Sequence, residues 1–259
     1  MSDGARLAGG TLTAVVRIGD TVRRPMNFWS PSVHKLLRHL EKAGFVGAPR
    51  FLGVDDQGRE KLSFIHGDVT IDGPPSGMYT EASLTGAATL LRAFHDATVD
   101  AVRDGSANWQ FQVGAPTTGP VICHNDVGPY NTVYRAGVPV AFFDWDFAAP
   151  GPREWDVACA LWRFVPLYDD AMCARLGWPV VARGARIAQF LEAYELAGGE
   201  DLLDVVLRRM EVTRKTIRFW ADAGNPDYVR LLREGRLGEI TENIRYVEQS
   251  RREWQTFLR

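Results

Sequence analysis

The sequence predicts an α+β protein of two lobes, a small β-rich N-terminal lobe and a larger, mainly helical C-terminal one. Three features carry that expectation. Short alternating runs with tight turns fill the first part of the chain, apolar residues recur at helical spacing from residue 80 onward, and a cluster of His, Asp and Asn lies between two strands at Val121–Asp146. The expected division is 1–67 for the N-lobe, 68–79 for the linker and 80–259 for the helical lobe. With 259 residues, 46% of them hydrophobic, the chain can bury a core of that size.

Thr13–Arg17 and Thr21–Arg24 alternate across a Gly19-Asp20 turn and predict a hairpin. Ser30 and Pro31 open a helix, because the fixed φ of proline suits a first turn, and Val33, Leu36, Leu37 and Leu40 then line one face. Phe51–Val54 and Lys61–Ile65 are two further strands around the polar turn 55–58. Gly73, Pro74, Pro75 and Gly77 interrupt regular structure and mark the linker. Helical faces follow at Leu84, Ala87, Ala88 and Leu91; at Trp155, Ala158, Cys159 and Trp162; at Ile187, Phe190, Leu191 and Tyr194; at Leu203, Val206, Leu207 and Met210; and at Leu237, Ile240, Ile244 and Val247. Residues 105–119 have no periodicity and read as a loop leading into the strand at Val121. His95 ends the first of those helical faces and reads as a core or capping histidine.

The chemistry is concentrated in VICHNDVGPYNTVYRAGVPVAFFDWD, residues 121–146. His124, Asp126 and Asn131 stand in the order HxDxxxxN, the spacing of a protein-kinase catalytic loop, with Asn125 where an Arg would sit. A hairpin follows, from Thr132–Arg135 through Ala136 and Gly137 to Val138–Phe143, and Asp144 comes where the apolar run stops. In a phosphoryl-transfer site each of these has a role. Asp126 is an acceptor-only carboxylate suited to taking the proton of a substrate hydroxyl. Asn131 and Asp144 supply one neutral and one charged oxygen to Mg²⁺. His124 reads as support for the loop, and Asp146 as either a second metal ligand or a loop hydrogen bonder.

A kinase would have DFG at Asp144, where this chain has Asp144, Trp145 and Asp146. The stretch AFFDWDFAAPGPREWDVACALWR resembles the aminoglycoside phosphotransferase family, in which an Asp, an aromatic and often another acidic residue replace DFG. The Gly151-Pro152 turn and Asp156 before the next helix match the same family. The resemblance is carried by residues 121–162 and extends more weakly over nearly the whole chain. It implies a protein-kinase-like fold that transfers the γ-phosphoryl group of ATP or GTP, with Mg²⁺, to a hydroxyl of a small molecule such as an aminoglycoside-type antibiotic or a related metabolite. It also implies that Asp156 braces the catalytic loop without taking part in the chemistry.

The nucleotide side departs from the family pattern. No Lys occurs between Met1 and Ser30, so the third-strand cation is expected to be Arg24. The helix position that would carry its partner Glu holds His34, and Glu41 lies late on that helix. Another acidic residue orients the Arg, or none does. Gly10 belongs to the phosphate-covering loop, although no GxGxxG is present, and Phe64, Ile65 and His66 form the expected hinge against the adenine. For a cationic acceptor the helical lobe offers Asp169, Asp170, Glu192, Glu195, Glu200 and Asp201, most of which read as solvated helix faces. Trp162, Tyr168, Trp178 and Trp220 are alternatives for an apolar acceptor pocket.

A formal net charge of -2 gives no field that would draw the chain to nucleic acid or an anionic membrane. Three cysteines without disulfide or metal spacing, no leader segment and no long apolar run point to a cytoplasmic protein. Two other readings compete. A catalytically silent pseudokinase serving as a binding or immunity module is favoured by the missing Lys and glycine loop, and opposed by the complete Asp126, Asn131 and Asp144 set. A phosphoesterase built on His124, Asp126, Asp144 and Asp146 would need two adjacent metals, and the sequence lacks further ligands at useful spacing.

Overall fold

The computed structural model describes residues 5–6, 15–70, 75–101, 107–110, 112–196 and 202–258. Gly10, the start of the first predicted strand at Thr13, Glu200 and Asp201 lie outside the described residues.

The chain begins with a five-stranded antiparallel sheet in the order β1-β2-β3-β5-β4. Its strands are β1 (Ala5–Arg6), β2 (Val16–Ile18), β3 (Thr21–Pro25), β4 (Phe51–Val54) and β5 (Arg59–Ser63). The β2–β3 hairpin turns at Gly19, whose φ of 59° is the left-handed conformation that a two-residue hairpin turn requires. Helix α1 (Ser30–Lys42) has Pro31 in its first turn and buries Val33, Leu36, Leu37 and Leu40, the face predicted from spacing. Strand β5 begins two residues earlier than its apolar run suggests, and the register sets Arg24 opposite Glu60.

The chain then passes Gly67, where Asp68 and Tyr134 exchange both backbone hydrogen bonds at 2.9 Å. Gly67 has φ 154°, and a Cβ there would lie 2.4 Å from the Tyr134 carbonyl oxygen, so the crossing admits only glycine. Helix α2 (Glu81–Thr98) is capped by Thr80, whose hydroxyl accepts from the Ser83 amide. Strands β6 (Val121–Cys123) and β9 (Ala149–Gly151) pair with each other, and β7 (Thr132–Arg135) pairs with β8 (Val138–Phe142).

Helices α3 (Arg153–Phe164), α4 (Asp170–Arg175), α5 (Arg183–Tyr194), α6 (Leu202–Asp222), α7 (Pro226–Arg233) and α8 (Arg236–Trp254) follow. α4 and α7 are too short to have shown as apolar stripes. Asp169 and Asn225 start them by accepting amide hydrogen bonds.

One continuous core joins α1, α2, α3, α5, α6 and α8, with Trp145, Trp162, Phe94, Phe190 and Tyr194 at its centre. Trp162 and Tyr168, two of the aromatics considered for an acceptor pocket, are buried in this core, and Trp178 and Trp220 pack partly buried against it. No helix among the described residues is long and apolar enough to cross a membrane.

Candidate active site

The loop between β6 and β7 is held from beneath by Asp156 on α3. Its Oδ1 accepts from the Asn125 amide at 2.9 Å, and its Oδ2 accepts from the His124 amide at 2.5 Å and from His95 Nε2 at 3.2 Å. Asp156 and His95 are both fully buried. Burial opposes the Asp156 charge, but the hydrogen bonds donated by His95 and by the His124 amide outweigh it and hold the carboxyl below the ordinary range. With Nε2–H donated to the carboxylate, Nδ1 of His95 accepts from the Tyr194 hydroxyl at 2.6 Å. His95 is thus a core histidine tying α2, α3 and α5 to the loop.

A second clamp comes from α6. Buried Arg209 donates Nη2 to the Asn125 carbonyl and Nη1 to Gln112 Oε1 at 2.8 Å. Asn125 has φ 65°, a left-handed conformation that costs energy in a non-glycine residue and persists because Asp156 and Arg209 pin its two backbone groups. His124 donates Nε2–H to the Phe143 carbonyl at 3.1 Å, and burial lowers its pKa, so it links the loop to the end of β8 as a neutral ring.

Asp126 projects from this pinned loop. Tyr130 donates its hydroxyl to Asp126 Oδ1 at 2.8 Å, and Asn131 donates Nδ2 to Oδ2 at 2.8 Å. Burial pushes the Asp126 pKa up, against the Tyr130 hydrogen bond that lowers it. The Asn131 side-chain amide also bonds the Asp126 carbonyl at 3.0 Å, which commits the nitrogen and leaves the amide oxygen as the acceptor available for a cation.

Beyond β8, Trp145 turns into the core and donates Nε1 to the Phe142 carbonyl, while its neighbours Asp144 and Asp146 both reach one guanidinium. Arg24 donates Nη1 to Asp144 at 3.2 Å, Nη2 to Asp146 at 2.5 Å and Nε to Glu60. Asp144 is 48% exposed, Arg24 11% and Glu60 0%. Arg23, on the other face of the strand, pairs instead with Asp55 at 3.5 Å.

The structure therefore brings together Asp126, Asn131, Asp144, Asp146 and Arg24, as the sequence anticipates, and adds Glu60, Tyr130 and Arg209. Glu60 resolves the question of the acidic partner: it comes from β5, not from α1. The signal was available, since extending the β5 alternation back from Leu62 by two residues puts Glu60 on the same buried face. Phe64, Ile65 and His66 follow β5, with Arg17 stacked 3.6 Å over the Phe64 ring and His66 3.0 Å from Asp20.

His95, Cys123 and Asp156 place potential ligand atoms within 4.8 Å of one another. Both Asp156 oxygens and both His95 nitrogens are already hydrogen bonded, so the trio is a structural network. The acidic residues proposed for a cationic acceptor are partly engaged as well: Asp169 caps α4, Asp170 pairs with Arg183 at 2.9 Å and Glu195 with Arg92 at 3.4 Å.

Residues 74–205 match the model of the phosphotransferase enzyme family, about half of the chain and all of the loop and hairpin just described. The trifolitoxin immunity protein of Rhizobium leguminosarum bv. trifolii is 37% identical over 202 residues, 76% of each chain. The chain belongs to the phosphotransferase enzyme family. Solved structures share the fold of this phosphotransferase at lower identity. A choline/ethanolamine kinase family protein from Mesorhizobium loti is 18% identical with a TM-score of 0.58, covering 96% of this chain and 93% of the other. Amicoumacin kinase hAmiN, solved with AMP-PNP, Ca²⁺ and Ami, is 13% identical with a TM-score of 0.63, covering 93% and 87%. The gentamicin complex of APH(2")-IIa is 12% identical with a TM-score of 0.56, covering 98% and 93%. The α+β, two-lobed, protein-kinase-like fold expected from the sequence is the fold of this phosphotransferase.

Proposed function

We propose that this phosphotransferase moves the γ-phosphoryl group of ATP or GTP to a hydroxyl of a small molecule, with Asp126 as the general base. The observation that carries the reading is the convergence of Asp126, Asn131 and Asp144, beside the ends of β6, β7 and β8, with Arg24 of β3. Asp126 has one oxygen on Tyr130 and the other on Asn131, so its lone pairs are oriented before any acceptor arrives, and its raised pKa makes it a stronger base than an exposed carboxylate.

The donor set suits Mg²⁺. The amide oxygen of Asn131 and the half-exposed carboxylate of Asp144 are hard oxygen ligands, few enough to leave positions for phosphate and water. Mg²⁺ bound there would neutralise phosphate charge. Arg24 contributes a fixed positive charge beside the same carboxylates, in the role of the absent Lys, and Gly10 would cover the phosphates. At the hinge of Phe64, Ile65 and His66, the Phe64 amide already donates to the Asp20 carbonyl and the His66 carbonyl accepts from Arg135. The adenine edge is therefore assigned to the remaining backbone groups of this hinge, the Phe64 carbonyl, the Ile65 amide and carbonyl and the His66 amide. Residues 1–67, 68–79 and 80–259 serve as nucleotide lobe, linker and acceptor lobe, and the three free, buried cysteines suit a reducing cytoplasm.

An antibiotic-type acceptor is supported by the relative named as an immunity protein and by the neighbour solved with gentamicin. Asp144 on one side and Arg163 and Arg209 on the other all act on Asp126 electrostatically. The test is ADP release with Mg²⁺ and ATP or GTP across a panel of hydroxylated antibiotics and metabolites. Nucleotide binding with no turnover on any of them would favour the silent binding module instead.

A further inference from the structure

The guanidinium of Arg24 can serve phosphates only if something fixes its orientation, and the carboxylate that does so comes from an unexpected element. Glu60 stands directly across from Arg24 in the β3–β5 register. It is fully buried and uses both oxygens: Oε1 accepts from Arg24 Nε, and Oε2 lies 2.5 Å from His34 Nε2. His34 is on α1, at the helix position where a kinase-type Glu was expected, and its ring stacks on Phe51 of β4 with centroids 3.7 Å apart and planes 17° from parallel.

A buried carboxylate is costly, and an apolar residue beside Leu62 would pack at that site without the desolvation penalty. Stability therefore gives little reason for Glu60 to be there. Its geometry gives one. Holding Nε orients the planar fork so that Nη1 and Nη2 both face the end of β8, where they meet Asp144 and Asp146. The contact to Asp144 is the longest of the three to Arg24 and the most exposed, so Nη1 is the donor that turns most easily to a phosphate oxygen.

We propose that Glu60, held in turn by His34, is the positioning residue that presents Arg24 to the nucleotide phosphates. The anchoring carboxylate has moved from helix to strand, and α1 keeps its connection to the site through an imidazole. The proposal rests on the phosphotransferase reading. His34, Glu60 and Arg24 form an unbroken chain from α1 through β5 to β3, so a shift of α1 changes the aim of the guanidinium.

The test measures the affinity of Mg²⁺ with AMP-PNP by calorimetry, alongside the thermal midpoint of the ligand-free protein, for wild type, Arg24→Ala, Glu60→Gln, Glu60→Asp and His34→Phe. Glu60→Gln keeps the shape and removes the charge; His34→Phe keeps the stack on Phe51 and removes the bond to Glu60. Glu60→Gln is expected to weaken AMP-PNP binding about tenfold or more, approaching Arg24→Ala, because a charge-assisted hydrogen bond is lost. His34→Phe should weaken it several-fold, and Glu60→Asp should recover part of the loss. If Glu60→Gln binds as tightly as wild type while Arg24→Ala does not, Asp144 and Asp146 alone orient the Arg and the proposal fails. If Glu60→Gln does not fold, wild-type affinity in His34→Phe overturns the proposal in the same way. A wild-type protein that binds no nucleotide at all would instead sink the phosphotransferase reading, and this proposal with it.

Discussion

Replacing Asp156 by Asn is the most informative change to the support of the site. The variant keeps the volume of the side chain but turns one accepting oxygen into a donor. In the native protein Oδ1 accepts from one amide and Oδ2 from another amide and from His95, all fully buried. In either orientation of the new amide, a donor meets at least one N–H that has no other acceptor. A buried donor left unsatisfied costs about 1–3 kcal/mol, and the remaining bonds lose charge assistance, about 1 kcal/mol more. The expected destabilisation is about 2–4 kcal/mol, a large fraction of the roughly 5–15 kcal/mol available to a protein. Urea denaturation followed by tryptophan fluorescence measures it, and with a slope of about 2 kcal/mol/M the midpoint should fall by about 1–2 M.

The pH dependence gives an independent check on the same residue. The folded-state pKa of Asp156 is held below the ordinary carboxylate value, so its ionised form contributes stability above about pH 4. That contribution is lost as pH falls through the folded-state value. The gap between wild type and Asp156→Asn should therefore be constant from pH 7 down to about 5 and shrink below about pH 4. A loss under about 1 kcal/mol, or a gap that does not change down to pH 3, would refute the brace.

Four further outcomes are expected. Asp126→Ala should leave AMP-PNP affinity close to wild type and lower turnover by about 10²- to 10⁴-fold in a coupled ADP-release assay; unchanged turnover would remove Asp126 from the mechanism. Asp144→Asn should abolish the Mg²⁺ dependence of nucleotide binding seen by thermal shift, since the charged ligand is neutralised. Arg24→Ala should weaken nucleotide binding several-fold or more whereas Arg23→Ala does little, because Arg23 is committed to Asp55 on the opposite face; equal effects would mean that no N-lobe cation holds the phosphates. Gly67→Ala should lower the thermal midpoint by forcing a Cβ against the Tyr134 carbonyl oxygen, and a midpoint equal to wild type would show that the crossing can relax.

The part of the site that was legible in the sequence is the part made of neighbours along the chain. HxDxxxxN, the hairpin after it and Asp144 lie within 21 residues, and two-residue alternation with one tight turn is enough to bring their ends together. The long amphipathic helices were legible for a similar reason, because burial of one face leaves a 3.6-residue period in a helix of three turns or more. Helices α4 and α7, of 6 and 8 residues, carry too few turns to show one and are defined by the caps Asp169 and Asn225.

Sequence alone also narrowed the proposed phosphate-binding cation to Arg24 or Arg23, since no lysine is available on that strand, and strand alternation required the two to face apart. Which carboxylates receive Arg24 was decided by tertiary structure. Glu60 is 36 residues away and Asp146 is 122 away, and their meeting depends on strand register and on how the hairpin end packs beneath the sheet. The same holds for Arg209, which reaches the Asn125 carbonyl across 84 residues from a helix whose apolar stripe says nothing about its one buried charge. Spacing along the chain encodes local geometry, whereas the partner of a buried charge is chosen by whichever group the completed core brings within hydrogen-bond reach.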